Sequence, residues 1–114
     1  MKINSFEEVI AWQKAKLLTK EIYSSMDHCR DFAFRDQLQR ASVSVMNNIA
    51  EGFERQSSKE LKYFLYVAKG SCGEVRSMLI LAHELDYINS EQYKLLSELV
   101  TETSRLLSGF IKTL

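Results

Sequence analysis

Along this chain, apolar residues recur every three or four positions over long stretches, and short polar breaks separate the stretches. Such spacing puts the apolar side chains on one face of an α-helix. Four stretches show it. In the first, Ala11, Ala15, Leu18, Ile22 and Met26 share a face. The run "SFEE" ahead of them has the form of a capping box, in which the Ser5 hydroxyl accepts from the Glu8 amide and the Glu8 carboxylate reaches back. This helix is expected to end near Asp27–Arg30. The second runs from Asp31 or Phe34 to Phe53, its end signalled by Gly52 and the polar run that follows. The third opens on another capping box, Ser57 with Glu60. It carries Leu61, Phe64, Leu65, Ala68, Cys72, Val75, Leu79 and Ala82 at heptad-like spacing. Asp86 or Asn89 breaks it, and Asn89 or Ser90 caps the fourth helix. Tyr93, Leu96, Val100, Leu107, Phe110 and Leu114 are expected on the inner face of that last helix. Four helices with short connections and no internal repeat predict an all-α, up-down-up-down antiparallel four-helix bundle, one domain over residues 1–114.

Two of these helices carry more apolar surface than one bundle core requires. On the second, Phe34, Leu38, Ala41, Val45 and Ile49 form one stripe, and Val43, Met46, Ala50 and Phe53 form another beside it. A surface helix needs only one such stripe. On the third helix, Tyr63, Tyr66, Gly70, Gly73, Ser77 and Leu81 lie opposite the core stripe. A glycine inside a helix costs about 1 kcal/mol relative to alanine. Small residues there let another helix approach closely. The plain alternative is a weak surface helix with exposed tyrosines. Wide apolar faces on small proteins mark interfaces, and self-association through Tyr63, Tyr66, Gly70, Gly73 and Ser77 is the expectation.

Composition changes this picture little, except for the charge. The chain has 114 residues, no proline and four glycines, which fits long helices with few tight turns. Lysine and arginine total 15, as do aspartate and glutamate. Such balance removes the basic excess that signals non-specific nucleic-acid binding. A local ridge survives the balance. Lys62, Lys69, Arg76 and His83 follow one another at intervals of seven on the third helix, and Lys62, Lys69 and Arg76 are candidate phosphate contacts. A solvated flank is the competing reading. Two cysteines far apart, no leader pattern at "MKINSFEEVI" and no long apolar run predict a cytoplasmic protein with reduced thiols and no membrane span.

Candidate chemistry is sparse. His28 and His83 do not lie at ligand spacing with other metal-binding groups, and no metal or cofactor is expected. Cys29 beside His28 is a weak thiolate pair, and Cys72 falls on the core stripe as a small buried hydrophobe. "KGSCGE" holds two glycines inside a helix, without the strand and turn of a phosphate loop. Glu51, Glu54, Arg55 and Glu60 make a charged turn, which reads as capping and solvated pairing. No nucleophile, base and orienting group assemble, so no catalytic residue is expected.

Several of these runs together resemble one family. "FEEVIAWQKAKLLTKEIY" looks like its first helix, with the pair Trp12–Gln13. "DQLQRASVSVMNNIAEGFERQSSKELKYFLYVAKGSCGEV" resembles its signature, and "ELDYINSEQY" resembles its last connection. The family is that of four-helix-bundle proteins encoded within 23S rRNA intervening sequences, with a basic, retroelement-associated accessory branch that this neutral chain does not resemble in charge. Two departures stand out. "DHCRDFAFRDQ" lacks the proline and glycine usual between the first two helices, and Asp86 stands where glycine is frequent. Aspartate tolerates the left-handed conformation that such a turn needs. The resemblance implies a homo-oligomer, a five-subunit ring, without enzyme activity. It also matches Asn48–Gly52 to the family motif position by position. Asn48, Glu51 and Arg55 are read as a polar cluster that fixes the turn between the second and third helices or sets subunit register. The function expected is therefore a non-enzymatic, self-associating scaffold or binding protein, with an RNA or a protein as partner. The alternative is an RNA- or ribonucleoprotein-binding protein associated with 23S rRNA intervening sequences.

Overall fold

The structure is a computed structural model that describes residues 3–114. Its elements are a short 3-10 turn at Phe6–Glu8, then α1 (Ile10–Ser25), α2 (Phe32–Phe53), α3 (Ser58–Glu84) and α4 (Ser90–Lys112). Each helix packs against its two neighbours around a square: α1 on α2, α2 on α3, α3 on α4, and α4 back on α1. Across the diagonal, α2 and α4 meet only through side chains such as Phe53 and Phe110 among the described residues. This is the antiparallel up-down-up-down bundle that short connections dictate. At a rise of about 1.5 Å per residue, the 27 residues of α3 reach about 40 Å. That length sets the long axis of the molecule, whose extents are 42 × 22 × 19 Å.

The core is one cluster drawn from all four helices. Leu18, Ile22, Leu38, Val45, Ile49, Leu65, Cys72, Val75, Leu79, Leu96, Val100 and Leu107 are buried within it. The periodicity in the sequence placed nearly all of these. On α4 it was less accurate. Leu114 lies exposed past the helix end, while Leu99, Thr103 and Ile111 take inner positions. Thr103 sits there at no polar cost because its hydroxyl donates to the Leu99 carbonyl at 2.7 Å. Two residues of the second apolar stripe of α2 turn inward. Met46 and Phe53 pack on the protein's own core, and Phe53 meets Phe110 edge to face at 5.4 Å between ring centroids.

The helix starts show where local pattern was sufficient. Ser5 makes no side-chain cap, contrary to the expected capping box. The Glu8 carboxylate accepts from the Asn4 amide instead, and Val9 in extended conformation separates the 3-10 turn from α1. At α3 the Ser57 hydroxyl accepts from the Glu60 amide at 3.1 Å, as the pattern predicts. The return half differs: the Glu60 carboxylate accepts from the Ser57 hydroxyl rather than from its backbone. At α4 the box is complete, with Asn89 and Gln92 bonded reciprocally.

Two connections are tied together. The α3–α4 turn places Asp86 in the left-handed region at φ 61°. The Tyr87 amide then donates to Ala82 and the Asp86 amide to His83, closing a Schellman motif. Tyr87 crosses to the α1–α2 junction, where its ring meets Phe34 at 5.3 Å and its hydroxyl donates to Asp31 at 2.7 Å. Asp31 also caps α2 by accepting from the Phe34 amide. This bridge orders a junction that has neither proline nor glycine. Gly52 has a different role from a helix stop. It lies within α2 with a helical backbone, and it lets α3 approach. A Cβ there would stand 3.0 Å from both Leu61 Cδ1 and Phe64 Cβ.

Candidate functional site

The outer face of α3 is open along its length. Tyr63 and Tyr66 are 62% and 53% exposed, and Ile80, Leu81 and Leu85 continue the apolar line toward the helix end. Between them, Gly70 and Gly73 have no atom within 4 Å of the position a Cβ would take. The glycines therefore serve no packing need inside this chain. Tyr63, Tyr66, Gly70, Gly73 and Ser77 are all exposed and follow at steps of three and four. Ile80 and Leu85 belong to the same surface, although the sequence pattern singled out neither.

Beside this face runs the seam between α3 and α4. Lys62, Lys69 and Arg76 are exposed on the α3 side, and none of them joins an ion pair among the described residues. Arg76 lines a hollow of about 480 Å³ together with Thr101, Ser104, Arg105, Ser108, Gly109 and Lys112 of α4. A second hollow of about 210 Å³ shares Arg76 and Thr101 and is closed by Ile80, Tyr93 and Ser97. The seven-residue step from Arg105 to Lys112 repeats on α4 the spacing noticed on α3. That signal was in the sequence, but which helices face each other was not. His83 does not extend the cationic line into the seam. It stacks on Tyr93 at 4.5 Å between centroids, and its Nε2 lies 3.3 Å from the Ser90 hydroxyl.

The turn between α2 and α3 brings together two of its three expected residues. The Arg55 guanidinium meets Glu51 at 3.1 Å and Glu60 at 3.6 Å, and it lies over the Phe64 ring at 4.8 Å. Asn48 stands apart from them. Its amide donates to the Ser44 carbonyl and hydroxyl at 2.8 and 3.0 Å, and Ser44 bonds Ser71 of α3 at 2.9 Å. One helical turn and the longer reach of Arg55 explain the separation. Glu51 and Arg55 fix the turn, while Asn48 orients a half-buried polar contact between α2 and α3.

The remaining polar chemistry is structural. Cys72 is fully buried, and burial pushes its thiol up to about 12, with Arg76 opposing slightly. Cys29 is buried and points its thiol weakly at the Asp31 carbonyl, 3.9 Å away. His28 lies exposed beside Asp27 at 3.0 Å. Asp31 is held below the usual carboxylate range, first by the Tyr87 hydroxyl and then by the Phe34 amide; the same bond raises Tyr87. Among the described residues, no buried side-chain oxygen or nitrogen lacks a partner, and no three histidine, cysteine or acidic side chains converge to hold a metal. Among the described residues, no helix is long and apolar enough to cross a membrane.

Fold and surface together define a class: a four-helix bundle with an open small-residue face on α3 and a basic seam next to it. Residues 7–109 match the profile of the 23S rRNA-intervening sequence proteins, and the chain belongs to that family. Among solved structures it is similar to a protein of unknown function from the S23 ribosomal protein family of Bacteroides thetaiotaomicron. The two share 26% identity and a TM-score of 0.85, over 90% of this chain and 99% of that one. No curated protein is significantly similar in sequence.

Proposed function

We propose that this protein is a non-enzymatic cytoplasmic scaffold that assembles with copies of itself, as the five-subunit ring its family resemblance implies, and engages a partner from the assembled surface. The open face of α3 carries this reading. Tyr63, Tyr66, Gly70, Gly73, Ser77 and Ile80 follow at steps of three, four, three, four and three, the spacing of a helix-pairing seam. Two interior glycines cost helix stability and give nothing back within the chain. A neighbouring helix would recover that cost by close backbone approach and by covering the tyrosines. Light scattering at micromolar concentration tests this. The expected mass is about 66 kDa, five copies of the 13.2 kDa chain. Gly73→Phe is expected to lower the mass while leaving the helical circular dichroism intact. A wild-type mass of 13.2 kDa would overturn the reading.

A second reading, binding of RNA or ribonucleoprotein, is favoured by one observation. Arg76, Arg105 and Lys112 gather on one seam of a chain whose total charge is balanced. Its test is salt-dependent retention of RNA by the purified protein.

A further inference from the structure

We propose that the seam between α3 and α4 binds the backbone of a single-stranded RNA, with Arg76, Arg105 and Lys112 on phosphates. The inference rests on the RNA-binding reading and gives it a place. Three cations and the hydroxyls of Thr101, Ser104 and Ser108 line the larger hollow, and no carboxylate does. Cations supply the phosphate attraction, and hydroxyls donate to phosphate oxygens. None of the three cations has an ion-pair partner among the described residues.

Two acids of α3 and α4 have partners on other helices. Glu74 accepts from Gln37 on α2, and Glu102 pairs with Lys14 on α1 at 3.4 Å. Glu98 and Glu102 line an adjoining hollow that shares Thr101 and Arg105 with the first, so they border the basic strip at Arg105. The neutral total thus conceals a local cluster of three cations along the seam.

The shape suits a strand rather than one anion. The stretch from Thr101 to Lys112 covers about 16 Å of helix. Through Arg76 and Thr101 it continues into the hollow closed by Tyr93. A positive groove that tracks the backbone is one part of how single strands are held. On α3, Lys69 and Lys62 extend the cationic line at the same seven-residue step. A self-associated form would repeat the seam, so weak contacts on one copy would add on a longer strand.

The test is fluorescence anisotropy of a labelled 12-nucleotide RNA of mixed sequence, titrated with the full-length protein at several salt concentrations. The variant combines Arg76→Gln, Arg105→Gln and Lys112→Gln. A control combining Lys20→Gln, Arg30→Gln and Lys59→Gln removes the same charge from exposed positions elsewhere. The seam variant is expected to weaken binding about tenfold or more and to flatten the log-log salt slope by about 2, at about 0.7 for each lost contact. The control is expected to change binding less than threefold (about 0.6 kcal/mol at RT near 0.59 kcal/mol). RNA bound equally well by the seam variant would overturn the seam while leaving RNA binding itself standing. No binding at low salt would overturn both. Equal losses in variant and control would overturn the seam in favour of diffuse charge. Displacement by inorganic phosphate or by poly-glutamate at matched charge would overturn the strand in favour of a single-anion or an acidic-peptide site.

Discussion

Replacing Gly52 by alanine is expected to destabilise the bundle, although alanine is the better helix former. At an open helix position the change would gain about 0.5–1 kcal/mol. Gly52 is buried inside α2, and its backbone is helical, so no unusual conformation demands glycine. An added Cβ would stand 3.0 Å from Leu61 Cδ1, 3.0 Å from Phe64 Cβ and 3.3 Å from the Leu61 carbonyl oxygen. Non-bonded carbons sit best at about 3.5–4.0 Å, so both carbon contacts are too short by about 0.5–1 Å. The Leu61 methyl can swing aside. Phe64 Cβ and the Leu61 carbonyl are fixed to the α3 backbone and yield only if α3 moves away from α2. Overpacking costs about 1–3 kcal/mol, and two rigid contacts of three point to the upper part of that range. After the propensity gain, a net loss of about 1–2 kcal/mol remains, or about 4–8 °C in Tm. Thermal denaturation followed by circular dichroism measures it, at one fixed chain concentration because assembly adds to stability. Gly109→Ala serves as comparison, since nothing lies within 4 Å of its added Cβ; its Tm is expected to hold or rise. A Gly52→Ala midpoint at or above wild type would refute close approach as the reason for this glycine.

Other outcomes are expected on the same grounds. Ser57→Ala removes the acceptor of the Glu60 amide and is expected to cost about 1 kcal/mol in a denaturant titration; an unchanged midpoint would place the start of α3 elsewhere. Tyr87→Phe breaks the bond to Asp31, and its Tm deficit is expected to depend on pH. Asp31 is depressed in the folded state, so its contribution is present above its unfolded value of 3.8 and is lost as pH falls through the folded one. Tyr87 is raised, so its contribution is present below its unfolded value of 10.0 and is lost as pH rises through the folded one. The deficit should therefore be greatest between those limits, and a deficit constant from pH 3 to 11 counts against the bridge. Cys72, with its thiol pushed up to about 12, is expected to resist alkylation near pH 8 until the chain unfolds; mass spectrometry showing rapid native labelling would contradict its burial.

The sequence by itself determined the four helices and their inward faces, because a 3.6-residue period is a local property that each helix carries alone. Leu18, Leu38, Leu65 and Leu96 were legible as core for that reason. Asp86 was legible too, since few side chains accept a left-handed turn. Tertiary structure decided what depends on neighbours. Met46 and Phe53 looked like a second interface, but α4 supplies Phe110 to cover part of that stripe, whereas Tyr63 and Tyr66 are left more than half exposed. Gly52 looked like a helix stop until α3 was seen to lie against it. Asn48 looked like part of the turn, yet it bonds Ser44 one turn back. Arg105 and Lys112 became partners of Arg76 only when α4 folded antiparallel along α3. Periodicity along one helix says which way a side chain points; only packing between helices distant in sequence decides what it meets.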